Sequence, residues 1–146
     1  MGWYCDECGE KILNENNGWV EWKVKKNNNN DFEQYDLRLV HHNIKCQYNS
    51  HSVYNIEGAG VSDNPLEFFS GCDGLMNLLE IISDNSFQNN EEVLELIKRI
   101  HIKGYEEVRQ SIDEAYDEGV FDLNSKQGYI TQGQIKLIQD WKSLKE

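Results

Sequence analysis

The sequence predicts an α+β fold, a small β-hairpin module packed on a helical domain of four to five helices. Three observations lead there. Apolar and polar residues alternate over short stretches before residue 56, the pattern of half-buried strands. Beyond residue 57 apolar residues recur every three or four positions, the pattern of amphipathic helices. Cysteine and histidine flank the alternating part, with Cys5 and Cys8 before it and His41, His42 and Cys46 after it.

The elements follow in order. Trp19 to Val24 alternates with Val20, Trp22 and Val24 on one face, and Tyr35 to Val40 alternates with Tyr35, Leu37 and Leu39 on one face. The polar, Asn-rich stretch between them, including Asn27 to Asn30, reads as the loop of an antiparallel hairpin. A third short strand is expected over Ser52 to Ile56, and Gly58-Ala59-Gly60 as a turn. Asp63-Asn64-Pro65 reads as a helix start, a cap residue before a first-turn proline. Leu75 to Ile82 is apolar on nearly every side and is expected to be the most buried helix. Asn90 can cap a helix from Glu91 to Lys103, with acidic residues at its start and basic ones at its end. Gly104 separates it from a helix over Tyr105 to Glu118, which Gly119 ends. Thr131 and Gln134 form a capping box for a last helix through Leu144, with Ile135, Ile138 and Trp141 as its stripe. The expected division is a metal-binding module over 1–56 and an acidic helical region over 57–146, sharing one core.

The chain has 146 residues, 38% hydrophobic and 27% charged, with a single proline, and so reads as a soluble globular protein. No apolar run approaches the roughly 20 residues that span a bilayer. The start of the chain has no basic segment followed by an apolar one, so a cytoplasmic location is expected, where paired cysteines more often hold metal than form disulfides. The formal charge is -12, divided as -2 over residues 1–50 and -10 over residues 51–146. Such acidity repels phosphate backbones and disfavours nucleic acid as a partner, leaving a protein partner as the expectation.

Cys5-Asp6-Glu7-Cys8-Gly9 is a C-x2-C-G unit, whose two thiolates can hold one ion from a tight turn closed by the glycine. His41-His42-x3-Cys46 supplies a second ligand group, giving a Cys3His tetrahedral set. His41 continues the face of Tyr35, Leu37 and Leu39 and is favoured by strand alternation; His42 offers the common H-x3-C spacing and is the alternative. His51 lies beyond Cys46. A redox C-x2-C would precede a helix in a βαβ unit, which this segment lacks. A rubredoxin-like iron site would take four cysteines, so with a histidine present the expected cofactor is Zn2+. Cys72 is expected to be a buried small residue at a helix start, not a ligand.

Residues 1–46 resemble zinc-ribbon proteins through this CDECG knuckle, the two strands and the second ligand group, although the second knuckle pairs a histidine with one cysteine instead of repeating C-x2-C. The resemblance implies a structural zinc and a ribbon used as an interaction surface. The small size, acidity and Asn-rich composition also resemble proteins of low-GC bacteria and their phages, where an adaptor or inhibitor of host machinery is one expected role. Three thiolates and an imidazole close the zinc shell and weaken its Lewis acidity, so no enzyme is expected. Two alternatives stand beside this. One is an HNH-like nuclease drawing on His41, His42, Asn43, Asn49 and His51. The other is a ribbon-type nucleic-acid binder using Trp22, Lys23, Lys25 and Lys26.

Overall fold

The computed structural model describes residues 2–122 and 125–146. Its architecture is α+β, and the chain divides into two compact units, 1–101 and 102–146. No helix among the described residues is long and apolar enough to cross a membrane.

In the first unit, two short strands, β1 (Trp3–Tyr4) and β2 (Lys11–Ile12), pair around the C-x2-C turn. The long strands β3 (Gly18–Lys26) and β4 (Phe32–His41) form the expected hairpin. A third strand, β5 (Gly60–Pro65), pairs antiparallel with β3, giving the order β4-β3-β5. The hairpin register slips between Glu21 and Lys23, opposite Asp36, whose φ of 55° marks a bulge. The outer edge of β4 is occupied in three places. Leu39 exchanges hydrogen bonds with Asp6, the Leu37 amide donates to the Glu92 carboxylate, and Gln34 pairs with the backbone of Ser86 and Gln88. An edge strand is thereby covered, and the C-x2-C turn is one of the pieces that cover it.

The helices of this unit are α1 (Ser50–Glu57), α2 (Leu66–Ser70), α3 (Gly74–Asp84) and α4 (Asn90–His101). One core joins sheet and helices: Ile12, Val20 and Leu39 from the strands meet Leu66, Phe69, Leu78 and Val93 from the helices, all fully buried. Burying each such side chain is worth about 1.5–3 kcal/mol. In the second unit, α5 (Tyr105–Val108), a 3-10 turn over Arg109–Ser111, α6 (Ile112–Asp117) and α7 (Gln132–Lys145) enclose Val108, Ala115, Ile135 and Ile138. The Thr131–Gln134 capping box is formed as expected.

Several expectations are corrected. Ser52 to Ile56 is helical, not a strand: the Asn49 side chain accepts the Ser52 amide and starts α1, and this local cap overrides the β-branched composition. Asp63 and Asn64 lie in β5 and cap nothing; α2 begins after Pro65 without a side-chain cap. The Asn89 side chain, not that of Asn90, accepts the Glu91 amide in the first turn of α4. The helix expected over 105–118 is broken by the 3-10 turn. The expectation that Leu75 to Ile82 is the most buried helix also fails. Only Leu78 of that stretch is buried, whereas Leu75, Met76 and Leu79 are 41%, 69% and 45% exposed. Helices α2 and α4 pack against α3, and Leu75, Met76 and Leu79 stay exposed.

Gly74 makes the α2–α3 corner: a Cβ there would lie 1.9 Å from the Phe69 carbonyl oxygen. Gly74→Ala should therefore lower the melting temperature of the first unit by about 10 °C or more. Gly133→Ala, on an exposed first turn of α7 with no close neighbour, should leave the melting temperature of the second unit unchanged or raised. Thermal unfolding of the two variants followed by circular dichroism checks this.

Candidate metal centre

The C-x2-C turn is built by its own backbone. Gly9 takes a φ of 79°, open to glycine and strained for other residues, and its amide closes the turn on the Cys5 carbonyl at 3.0 Å. The amides of Glu7 and Cys8 point at the Cys5 sulfur at 3.4 and 3.5 Å. This is the amide-to-sulfur arrangement that steadies a thiolate. A second turn forms at the end of β4, where the Asn43 carbonyl accepts the amides of Cys46 and Gln47 and its side chain accepts Lys45 N–H.

The two turns meet. Cys5, Cys8, His41 and Cys46 place one donor atom each within 4.8 Å of one another. His41 Nδ1 lies 3.4 Å from Cys8 Sγ and 3.8 Å from Cys46 Sγ. A tetrahedral zinc with Zn–S near 2.3 Å and Zn–N near 2.0 Å sets sulfur and nitrogen roughly 3.6 Å apart, a value that the two His41 separations bracket. On its far side His41 Nε2 faces the Lys11 carbonyl at 3.3 Å. Donation to that carbonyl puts the proton on Nε2 and turns the Nδ1 lone pair to the sulfurs, the support that metal-bound imidazoles commonly have.

The candidates left outside the cluster have other surroundings. His42, the alternative ligand, stacks on Trp19 with ring centroids 4.1 Å apart. His51 is exposed in the first turn of α1. Cys72 is exposed, correcting the expectation of a buried residue.

Two arginines that the sequence does not tie to the cysteines, Arg38 and Arg99, fix the turns to the fold. Arg38 on β4 donates to Glu21 at 2.7 Å, to Glu7 of the first turn at 2.8 Å and to the Cys46 carbonyl of the second at 2.8 Å. The Tyr48 ring lies against its guanidinium, 3.7 Å away, and the Tyr48 amide donates to Glu21. Arg99 on α4 donates to the Asp6 carboxylate and to the Tyr4 carbonyl, both at 2.8 Å. The two residues between the paired cysteines are thus each held by an arginine from β4 or α4. Glu21 is 1% exposed; burial pushes its carboxyl up, against the opposing pull of Arg38 and the Tyr48 amide.

The thiols differ in character. Burial pushes Cys5 up, but the Cys8 amide, the His41 backbone, the Glu7 amide and the His41 ring outweigh it and bring the thiol down to about 6. Cys46 is pushed up to about 11 by burial and by the neighbouring sulfurs of Cys5 and Cys8. The group therefore holds one sulfur ready as thiolate, and a cation placed among the three relieves the repulsion that keeps Cys46 protonated.

No protein-family model, curated protein or solved structure matches the chain, so the site stands on its own geometry.

Two outcomes are expected here. Arg38→Met leaves Glu21 buried beside an apolar side chain and should cost about 3–5 kcal/mol of stability. Glu21→Gln in the same chain should recover part of that loss, as a urea-unfolding double-mutant cycle will show. In metal-free protein, Cys5 is ionised in the fold and protonated in the unfolded chain between about 6 and its ordinary 9.0. Folding releases a proton there, so the melting temperature should rise from pH 6.5 to pH 8.5. Between 9.0 and about 11 the fold keeps the Cys46 proton that the unfolded chain has lost, and stability should fall again. Melting curves in chelator across this range check both limbs.

Proposed function

We propose that this is a small zinc-binding protein whose ion is structural and whose work is to bind another protein. The convergence of three sulfurs and His41 Nδ1 within 4.8 Å carries the reading. That donor set selects zinc over hard cations and, with a histidine among the sulfurs, over a four-cysteine iron site. The zinc-ribbon-like arrangement of the first 46 residues supports it. Cys5, Cys8, His41 and Cys46 would hold the ion, and four protein ligands leave no coordination position for water. What the ion supplies is cross-linking of the two turns.

Other residues support a role without catalysis. Asn43 and Asn49, which a nuclease reading would need, serve a turn and a helix cap. Lys23, central to a basic stripe, is paired with Asp36 and Glu57 at 3.1 and 2.7 Å. With a charge of -12, the remaining surface suits a basic protein partner better than a phosphate backbone. An adaptor or inhibitor acting in the cytoplasm is the form of function most consistent with these features.

Elemental analysis of purified protein should find about one zinc per chain, as a single four-ligand site requires. Cys5→Ser should lose the zinc and melt at least about 10 °C lower, while Cys72→Ser keeps full zinc content. Full zinc in Cys5→Ser would refute the ligand assignment.

A further inference from the structure

Helix α3 turns an apolar face away from the core. Leu75, Met76 and Leu79 stand at i, i+1 and i+4, neighbours on one side of the helix, and are 41%, 69% and 45% exposed. Leu78, three residues on from Leu75, borders this stripe on the core side and is fully buried. Phe68 on α2 is 45% exposed, and the Asn77 side-chain amide donates to its carbonyl at 2.9 Å, holding α2 against the start of α3. Large side chains left in water side by side on a folded surface mark an interaction site more often than chance exposure. A long, unbranched methionine in the middle suits a surface that must adapt to its partner.

The charges around this face decide what fits it. Residues 66–85 contain four carboxylates, Glu67, Asp73, Glu80 and Asp84, and no lysine or arginine. All four are exposed. An apolar stripe on a segment whose charged side chains are all carboxylates complements a helix with one apolar face bordered by lysine and arginine. The same carboxylates oppose the alternatives. A second copy of this chain would bring carboxylates against carboxylates, and an anionic membrane would be repelled.

We propose that the α2–α3 face, centred on Leu75, Met76 and Leu79, is a docking site for a basic amphipathic helix of a partner protein. This inference rests on the protein-binding part of the function proposed above and not on the metal. It supplies the surface and the partner chemistry which that reading leaves open.

The test uses the 146-residue chain and a fluorescent 14-residue peptide made only of leucine and lysine, with leucines at i, i+3, i+4 and i+7. Its companion replaces every lysine by glutamate. Fluorescence anisotropy should show binding of the lysine peptide and at least tenfold weaker binding of the glutamate peptide. Met76→Ser with Leu79→Ser should weaken the lysine peptide at least tenfold. Tyr54→Ser with Ile56→Ser, which removes exposed apolar groups from α1, should not. Equal binding by wild type and the α3 variant, equal binding of both peptides, or a wild-type dimer that the α3 variant dissolves would overturn the proposal. Binding to anionic vesicles that the α3 variant abolishes would overturn it too. Zinc content and circular dichroism are read in the same samples. Full zinc with no α3-dependent binding removes the docking site alone, and α3-dependent binding in zinc-free protein removes the metal reading alone.

Discussion

The structure depends on one convergence: two backbone turns, separated by the whole β-hairpin, bring three sulfurs and an imidazole nitrogen to a common point. Cys8 and His41 are 33 residues apart, yet their donor atoms lie 3.4 Å from each other. Linking a loop of that length through a bound ion would remove roughly 3–4 kcal/mol of chain entropy from the unfolded state, by analogy with a covalent cross-link. The protein does not leave the convergence to the ligands. Arg38 ties both turns to the buried Glu21, and Arg99 ties Asp6 to α4. A group of partly repelling thiols is thus held together by a scaffold whose own charges are paired, and the first unit also has an apolar core in which Phe69, Leu39 and Val93 share. In this it differs from a short zinc finger, where the metal is almost the whole of the stability.

The position of the cluster follows from how the sheet ends. Strand β4 lies at the edge of the sheet, and the first turn docks along its outer side through Asp6 and Leu39. His41 is the last residue of β4 and His42 the first beyond it. Consecutive residues of a strand face opposite ways, so one ring meets the cysteines and the other meets Trp19. The docking face proposed on α2 and α3 draws on different residues from the metal group. Under the two proposals the ion stabilises the unit and the helices meet the partner.

Much of this was legible in the sequence because it is local. The hairpin strands, the paired cysteines, the second Cys/His group and the facing of His41 relative to Leu39 follow from alternation or short spacing, but the bulge at Asp36 turns Tyr35, paired with Lys23, to the face opposite Leu39, against the expected alternation. So does the capping box at Thr131. Features that depend on distant neighbours were not legible. Nothing near Asp6 announces an arginine 93 residues away, and nothing near Glu21 announces Arg38 across a bulge. The stretch Ser52 to Ile56 carries residues that favour strands, and a single asparagine before it makes it a helix. The stretch Leu75 to Ile82 is apolar all round, and composition alone cannot count how many neighbours will cover it. The same ambiguity made Cys72 look buried when it is exposed.

Zinc K-edge X-ray absorption on the purified protein tests the central claim most directly, because it reads donor type and distance at the ion itself. The account predicts three sulfurs at about 2.3 Å and one nitrogen at about 2.0–2.1 Å, with no further oxygen shell. A zinc bound mainly by oxygen, a shell of two or fewer sulfurs, or protein from zinc-replete medium that holds no zinc would contradict it.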